Sequence, residues 1–150
     1  STAADMAAPI VNSAVAYIKV CPETWVKTNT ATVSVAIGGA DLSGTITSTT
    51  PLSVNVTINN SNLSTLAAST VSLTFPFPVG VTSATSLTPN ITVSGTNVIM
   101  TEASIAIGAT SLGQFTYVAP AGAYTWSGTI TSATFDPNTG NNGVSGTFIV

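Results

Sequence analysis

Leu52-Ser53-Val54-Asn55-Val56-Thr57-Ile58 is the stretch whose reading decides the fold. Leu52, Val54, Val56 and Ile58 recur every second residue, with small polar residues between them, and residues two apart share a face only in an extended chain. A half-buried β-strand follows. Its register is strongly specified, because slipping it by one residue would turn every apolar side chain to solvent.

Outward from this strand the same period returns between glycine, proline and asparagine. Val71, Leu73 and Phe75 alternate as far as Pro76-Phe77-Pro78-Val79-Gly80, where proline has no N–H to give a central ladder and glycine permits a turn. Ile91 and Val93, then Val98 and Met100, flank Ser94-Gly95-Thr96-Asn97, which has the residues of a tight hairpin. Phe115 and Tyr117 lead into Ala119-Pro120-Ala121-Gly122. Beyond that turn Tyr124, Trp126 and Ile130 alternate with Thr125, Ser127 and Thr129, so the aromatics should anchor the core. Val144, Phe148 and Val150 share a face of a closing strand. Helical periodicity is nearly absent. About seven short strands spaced about 8–12 residues apart predict an all-β antiparallel sandwich over residues 40–150, preceded by an arm over residues 1–39.

Composition narrows the function classes. Of 150 residues, Lys and Arg make 2 and Asp and Glu make 5, a charged fraction of 5%, where a typical soluble protein has roughly 25%. Solubility then rests on hydroxyls and amides, and the surface should respond little to salt. With Lys19 and Lys27 the only cations, the chain has no basic footprint for nucleic acid and no polybasic signal for anionic lipid. The most apolar stretch, residues 7–20, contains Asn12, Ser13 and Lys19 and falls short of the ~20 residues that span a bilayer, so no membrane insertion is expected. A chain that opens on Ser1 is what removal of a signal peptide would leave, and an extracellular or cell-surface location is expected.

The residues Asp41-Leu42-Ser43, Val54-Asn55-Val56-Thr57-Ile58-Asn59-Asn60, Pro78-Val79-Gly80-Val81, Pro120-Ala121-Gly122-Ala123-Tyr124 and Asp136-Pro137-Asn138-Thr139-Gly140-Asn141-Asn142 fall in the order of a known module. Over residues 41–150 the chain resembles the conserved-repeat, immunoglobulin-like domain of bacterial and archaeal surface proteins, a domain family of unknown function. The resemblance implies an immunoglobulin-like sandwich that acts as an extracellular spacer or assembly module, with no active site. The chain departs from the family in carrying one copy and in the segment ahead of it.

That leading arm is too apolar for a disordered tail: Ile10, Val11, Val15, Tyr17, Ile18, Val20, Trp25, Val26, Val33, Val35 and Ile37 all lie in it. Residues 14–20 alternate between Pro9 and Pro22, and residues 30–37 alternate again, which predicts extended strands needing a sheet. A sandwich offers unpaired edges that proteins usually blunt with charge, and this chain has little charge. The expectation is a homopolymer: Ile10, Val11, Val15, Tyr17, Ile18 and Val20 of one copy form a donor strand for the sandwich of the next, a head-to-tail contact that grows a filament. The competing arrangement is an arm folded back on its own domain. A second class of function is a non-polymerising surface adhesin or carbohydrate-binding module, with Tyr17, Trp25 and Phe77 as its platform and glycans or other surface proteins as partners.

Little in the sequence suggests chemistry. The absence of histidine removes the commonest general base and metal ligand. The carboxylates Asp5, Glu23, Asp41, Glu102 and Asp136 show no pair at glycosidase spacing, so no enzyme activity and no cofactor are expected. Asp136, Asn138, Gly140 and Asn142 imitate a calcium loop but lack its downstream glutamate, and an Asx turn explains them better. Cys21 cannot form an internal disulfide, and is either a small buried residue or a cross-link between copies. Asn55, Asn59, Asn62 and Asn90 begin N-glycosylation sequons. An intramolecular Lys–Asn isopeptide bond would require Lys19 or Lys27 buried beside an amide and a carboxylate.

Overall fold

The computed structural model describes the strand backbone of residues 10–20 and 24–35 and the whole of residues 38–150. The chain divides into two compact units, 1–37 and 38–150. This boundary lies two residues before the one expected, because Gly39 already belongs to the second unit. Its N–H donates to Thr65 Oγ1 at 2.9 Å, and its carbonyl accepts the N–H groups of Thr65 and Leu66.

The first unit is a two-stranded antiparallel ribbon of β1 (Ile10–Val20) and β2 (Thr24–Val35). Val15 stands opposite Thr30 and Ile18 opposite Val26, with an irregularity between Ala16 and Tyr17. The alternating segments over 14–20 and 30–37 are therefore not two free strands: residues 14–20 pair with 24–31, and residues 30–35 pair with 10–15. Cys21 lies outside the described residues.

The second unit is an antiparallel β-sandwich. One sheet has the order β11-β10-β5-β8-β7 and the other β3-β4-β9-β6. The strands are β3 (Leu42–Thr50), β4 (Ser53–Asn60), β5 (Ala68–Pro76), β6 (Ser83–Ser86), β7 (Ile91–Ser94), β8 (Asn97–Ile105), β9 (Thr110–Val118), β10 (Ala123–Thr131) and β11 (Gly143–Ile149), and a single 3-10 turn spans Thr139–Asn141. Nine strands stand where about seven were expected. The alternation criterion passes over β6, whose Ser-Ala-Thr-Ser has no large apolar residue, and β3, where only Leu42 and Ile46 are buried.

The alternation of β4 is as read: Val54, Val56 and Ile58 are fully buried. Leu52 is the exception. It sits in the β3–β4 turn at φ +72°, a left-handed conformation costly for a branched side chain, and the strand opens at Ser53. Ser94 pairs with Asn97 across the expected hairpin, whose loop is relieved by Gly95 at φ +57°.

Trp126 is the centre of the core. It has no solvent exposure, and Phe75, Phe77, Phe115 and Tyr117 surround it edge-on at centroid distances of 6.5, 5.9, 5.0 and 5.4 Å. Phe77 is thus half-buried and packed against the core. The side chains of Tyr17 and Trp25 lie outside the described residues. Tyr117 Oη is buried with no hydrogen-bond partner among the described residues, and burial, then the charge of Tyr124, pushes its pKa up. Below the ordinary tyrosine range this has no pH dependence. Above it the unfolded chain ionises first, so stability should fall as pH rises toward the folded-state value. Replacing Tyr117 with phenylalanine removes an unsatisfied hydroxyl, so we expect denaturant unfolding to show unchanged or up to about 1 kcal/mol greater stability. The alkaline slope should flatten in the same variant.

Candidate strand-acceptor groove

The sandwich has two sides, and they differ. On one, the edge strands β3 and β11 lean together. A side chain at Gly44 would meet Val144 Cγ2 at 2.7 Å, and one at Gly146 would meet Ile46 Cγ2 at 2.8 Å. Glycine at both positions permits this approach.

On the other side the outer strands are too short for the strands they cover. β7 pairs with β8 only from Asn97 to Met100, and β6 pairs with β9 only from Phe115 to Val118. Residues 101–105 of β8 and 110–114 of β9 therefore extend past their outer neighbours. The segment 87–90 partly crosses the gap: Leu87 N–H donates to the Gln114 carbonyl at 2.9 Å, Thr88 Oγ1 accepts the Gln114 N–H at 3.0 Å, and Thr101 N–H donates to the Asn90 carbonyl at 2.9 Å. What remains is a groove of about 570 Å³ whose lining includes Asn90, Glu102, Ile105, Ala109, Ser111 and Leu112. Leu112 is 51% exposed, and the exposed Leu87 and Ile107 belong to the segments that frame it.

One wall of the groove is the β8–β9 connection, and Asn60 holds it. Asn60 has no solvent exposure. Its Nδ2 donates to the carbonyls of Ile105 (3.0 Å) and Leu66 (3.1 Å), its N–H donates to Ala109 O, and its carbonyl accepts the N–H of Gly108.

Inside the groove, Asn90 Nδ2 donates to Glu102 Oε1 at 2.7 Å, to Leu112 O at 3.1 Å and to Ser111 Oγ at 3.4 Å, and Ser111 Oγ donates in turn to Glu102 Oε1. Asn90 Oδ1 is buried and accepts nothing from the described residues. Sequence reasoning picked out Asn90 as a sequon and Glu102 as an isolated carboxylate, and did not join them. The signal was present: the 94–97 hairpin pairs Ile91 with Met100, and so carries Asn90 level with Thr101, beside Glu102.

The remaining candidates fall elsewhere. Asp136 binds backbone with both oxygens, accepting Leu42 N–H at 3.0 Å and Asn138 N–H at 2.8 Å, the second bond being the Asx turn read from the sequence. Asn141 Nδ2 donates to Asp41 Oδ1 at 2.8 Å. Among the described residues no three His, Cys, Asp or Glu gather as metal ligands. Of the sequon asparagines, Asn55 accepts from Gln114 Nε2 and Asn59 from Thr110 Oγ1 with their Oδ1 atoms, while Asn90 is held in the groove. Asn62 stands exposed beyond β4 with no side-chain hydrogen bond among the described residues. No helix of the described residues is long and apolar enough to cross a membrane.

No protein-family model matches the chain, and no curated protein does. Among solved structures it is similar to a family GH18 chitinase from Chromobacterium violaceum, at 10% identity and a TM-score of 0.44, over 71% of this chain and 20% of that one. It is also similar to a GH20 exo-β-N-acetylglucosaminidase from Vibrio harveyi, seen in complex with N-acetylglucosamine and as an inactive mutant, at 14% identity and a TM-score of 0.38, over 66% of this chain and 18% of that one. The chain spans about a fifth of the length of these enzymes.

Proposed function

We propose that this chain is a non-catalytic structural subunit of an extracellular filament or surface polymer, in which the N-terminal ribbon of one copy adds a strand to the sandwich of the next. The observation that carries this reading is the groove where β8 and β9 outrun β7 and β6. It presents extended backbone and exposed apolar side chains together, which is what a β-augmentation site requires.

The ribbon supplies the other half of the argument. An isolated two-stranded hairpin is marginally stable in water and gains most from a third strand or a packed surface. Charge does not oppose the pairing: residues 38–150 carry Asp41, Glu102 and Asp136 with no lysine or arginine, while residues 1–37 carry Lys19 and Lys27 against Asp5 and Glu23 and are neutral overall. Ile10, Val11, Val15, Tyr17, Ile18 and Val20 on β1 are the donor residues in this proposal.

The body fits the immunoglobulin-like class in two respects. The order β3-β4-β9-β6 facing β11-β10-β5 parallels the ABED and GFC sheets, with β7 and β8 as an inserted hairpin on the second sheet. At the β9–β10 corner, Tyr124 Oη donates to the Pro120 carbonyl at 2.9 Å, the bond of a tyrosine corner.

The test is hydrodynamic. The full chain should elute as polymer and appear as filaments by negative-stain microscopy, and deletion of residues 1–37 should leave a folded monomer. Leu112→Asp, placed in the groove, should cap growth in the full chain. A full chain that stays monomeric at high concentration overturns the reading.

A further inference from the structure

The geometry points to Asn90 and Glu102 as two thirds of a self-forming isopeptide cross-link, whose missing lysine is delivered by the ribbon of a neighbouring subunit; this rests on the assembly just proposed. An amide held against a carboxylate in a groove is the electrophile and the proton carrier that an amine needs. Glu102 Oε1 lies 2.7 Å from Asn90 Nδ2, the atom that must take up a proton to leave. Asn90 Oδ1 is buried with no donor among the described residues; an arriving lysine Nζ–H that displaces the atoms covering it would satisfy this acceptor, and that contact would bring Nζ beside Cγ.

The body cannot supply the amine itself, because residues 38–150 contain no lysine. Lys19 and Lys27 both lie on the ribbon strands, opposite Trp25 and Tyr17. The groove is lined by Ile105, Ala109 and Leu112, and covering it with the added strand would desolvate a lysine seated there, which favours its neutral form and lets its proton pass to Glu102. Nζ then attacks Asn90 Cγ. The Nζ–Cγ bond forms, the Cγ–Nδ2 bond breaks, and Glu102 returns protons to the departing nitrogen. Nitrogen leaves as ammonium, carrying away the charge that lysine brought, and Glu102 ends as the carboxylate it began. No oxidant or co-reactant enters.

The experiment is denaturing electrophoresis and intact mass on assembled full-length protein, with the same sample imaged. Expected are bands at multiples of the chain mass that survive boiling in detergent and reductant, each lighter by one ammonia per link, with a peptide joining Asn90 to Lys19 or Lys27. Glu102→Gln should abolish the ladder, and so should Lys19→Arg with Lys27→Arg, which keeps both charges; the single lysine variants assign the partner. Filaments that dissolve entirely to monomer of full mass overturn the cross-link while leaving strand addition standing. A monomer lighter by one ammonia, without a ladder, overturns its assignment to a neighbour. Monomer of full mass with no filaments overturns both.

Discussion

Trp126→Ala should cost about 3–5 kcal/mol, the usual range for truncating a large buried aromatic, and lower the melting temperature by roughly 10–25 °C. The indole is fully buried at the crossing of the two sheets, and four rings meet it edge-on, so its removal leaves a cavity that no single neighbour can fill. Edge-to-face pairs add about 0.5–1.5 kcal/mol each beyond burial. Against a typical domain stability of about 5–15 kcal/mol, the variant approaches the unfolding threshold. Trp126→Phe separates packing from polarity. Nε1 has no partner among the described residues, so phenylalanine loses ring contacts but also removes a buried orphan donor. Urea unfolding should therefore find the phenylalanine variant much closer to the parent than the alanine variant. Equal losses would mean that the indole N–H is satisfied in solution.

The interior of this sandwich was readable because strand period and burial coincide there. Val54, Val56, Ile58, Leu73, Phe75, Trp126 and Ile130 are buried and were each assigned to an apolar face from alternation alone. The edges were not readable, for a physical reason: an edge strand buries only part of one face, so β6 and most of β3 carry Ser and Thr where a central strand carries Val and Ile. The groove was harder still. It exists because β6 and β7 are four residues long beside strands of nine, and strand length relative to a neighbour depends on pairing. Asn60 was invisible for a related reason. Its partners Leu66 and Ile105 lie 6 and 45 residues away, and the run Asn59-Asn60-Ser61-Asn62 at a strand end reads as a turn.

Asn60 accordingly carries the second large expected effect. Removing its amide strips a hydrogen-bond donor from the buried carbonyl of Ile105, a loss of about 1–3 kcal/mol for that acceptor alone. Asn60→Asp is the sharper probe, because it keeps the shape and replaces the donating Nδ2 with an oxygen facing two carbonyls. A carboxylate there is both desolvated and repelled, so its folded-state pKa must rise above the unfolded value of about 3.9. The sign follows: the penalty is small below that value and grows as pH rises through it, since the unfolded chain ionises more readily than the folded one. Asn60→Asp should therefore unfold at lower urea at pH 7 than at pH 4, with the parent as control, and Asn60→Ala should show no such difference relative to the parent. Because the Asn60 amide holds the Ile105 carbonyl at the start of the turn whose Gly108 and Ala109 bond the Asn60 backbone, amide exchange over residues 106–110 should accelerate before global unfolding in both variants. That connection is a wall of the acceptor groove, so filament growth should slow in proportion even where the body remains folded.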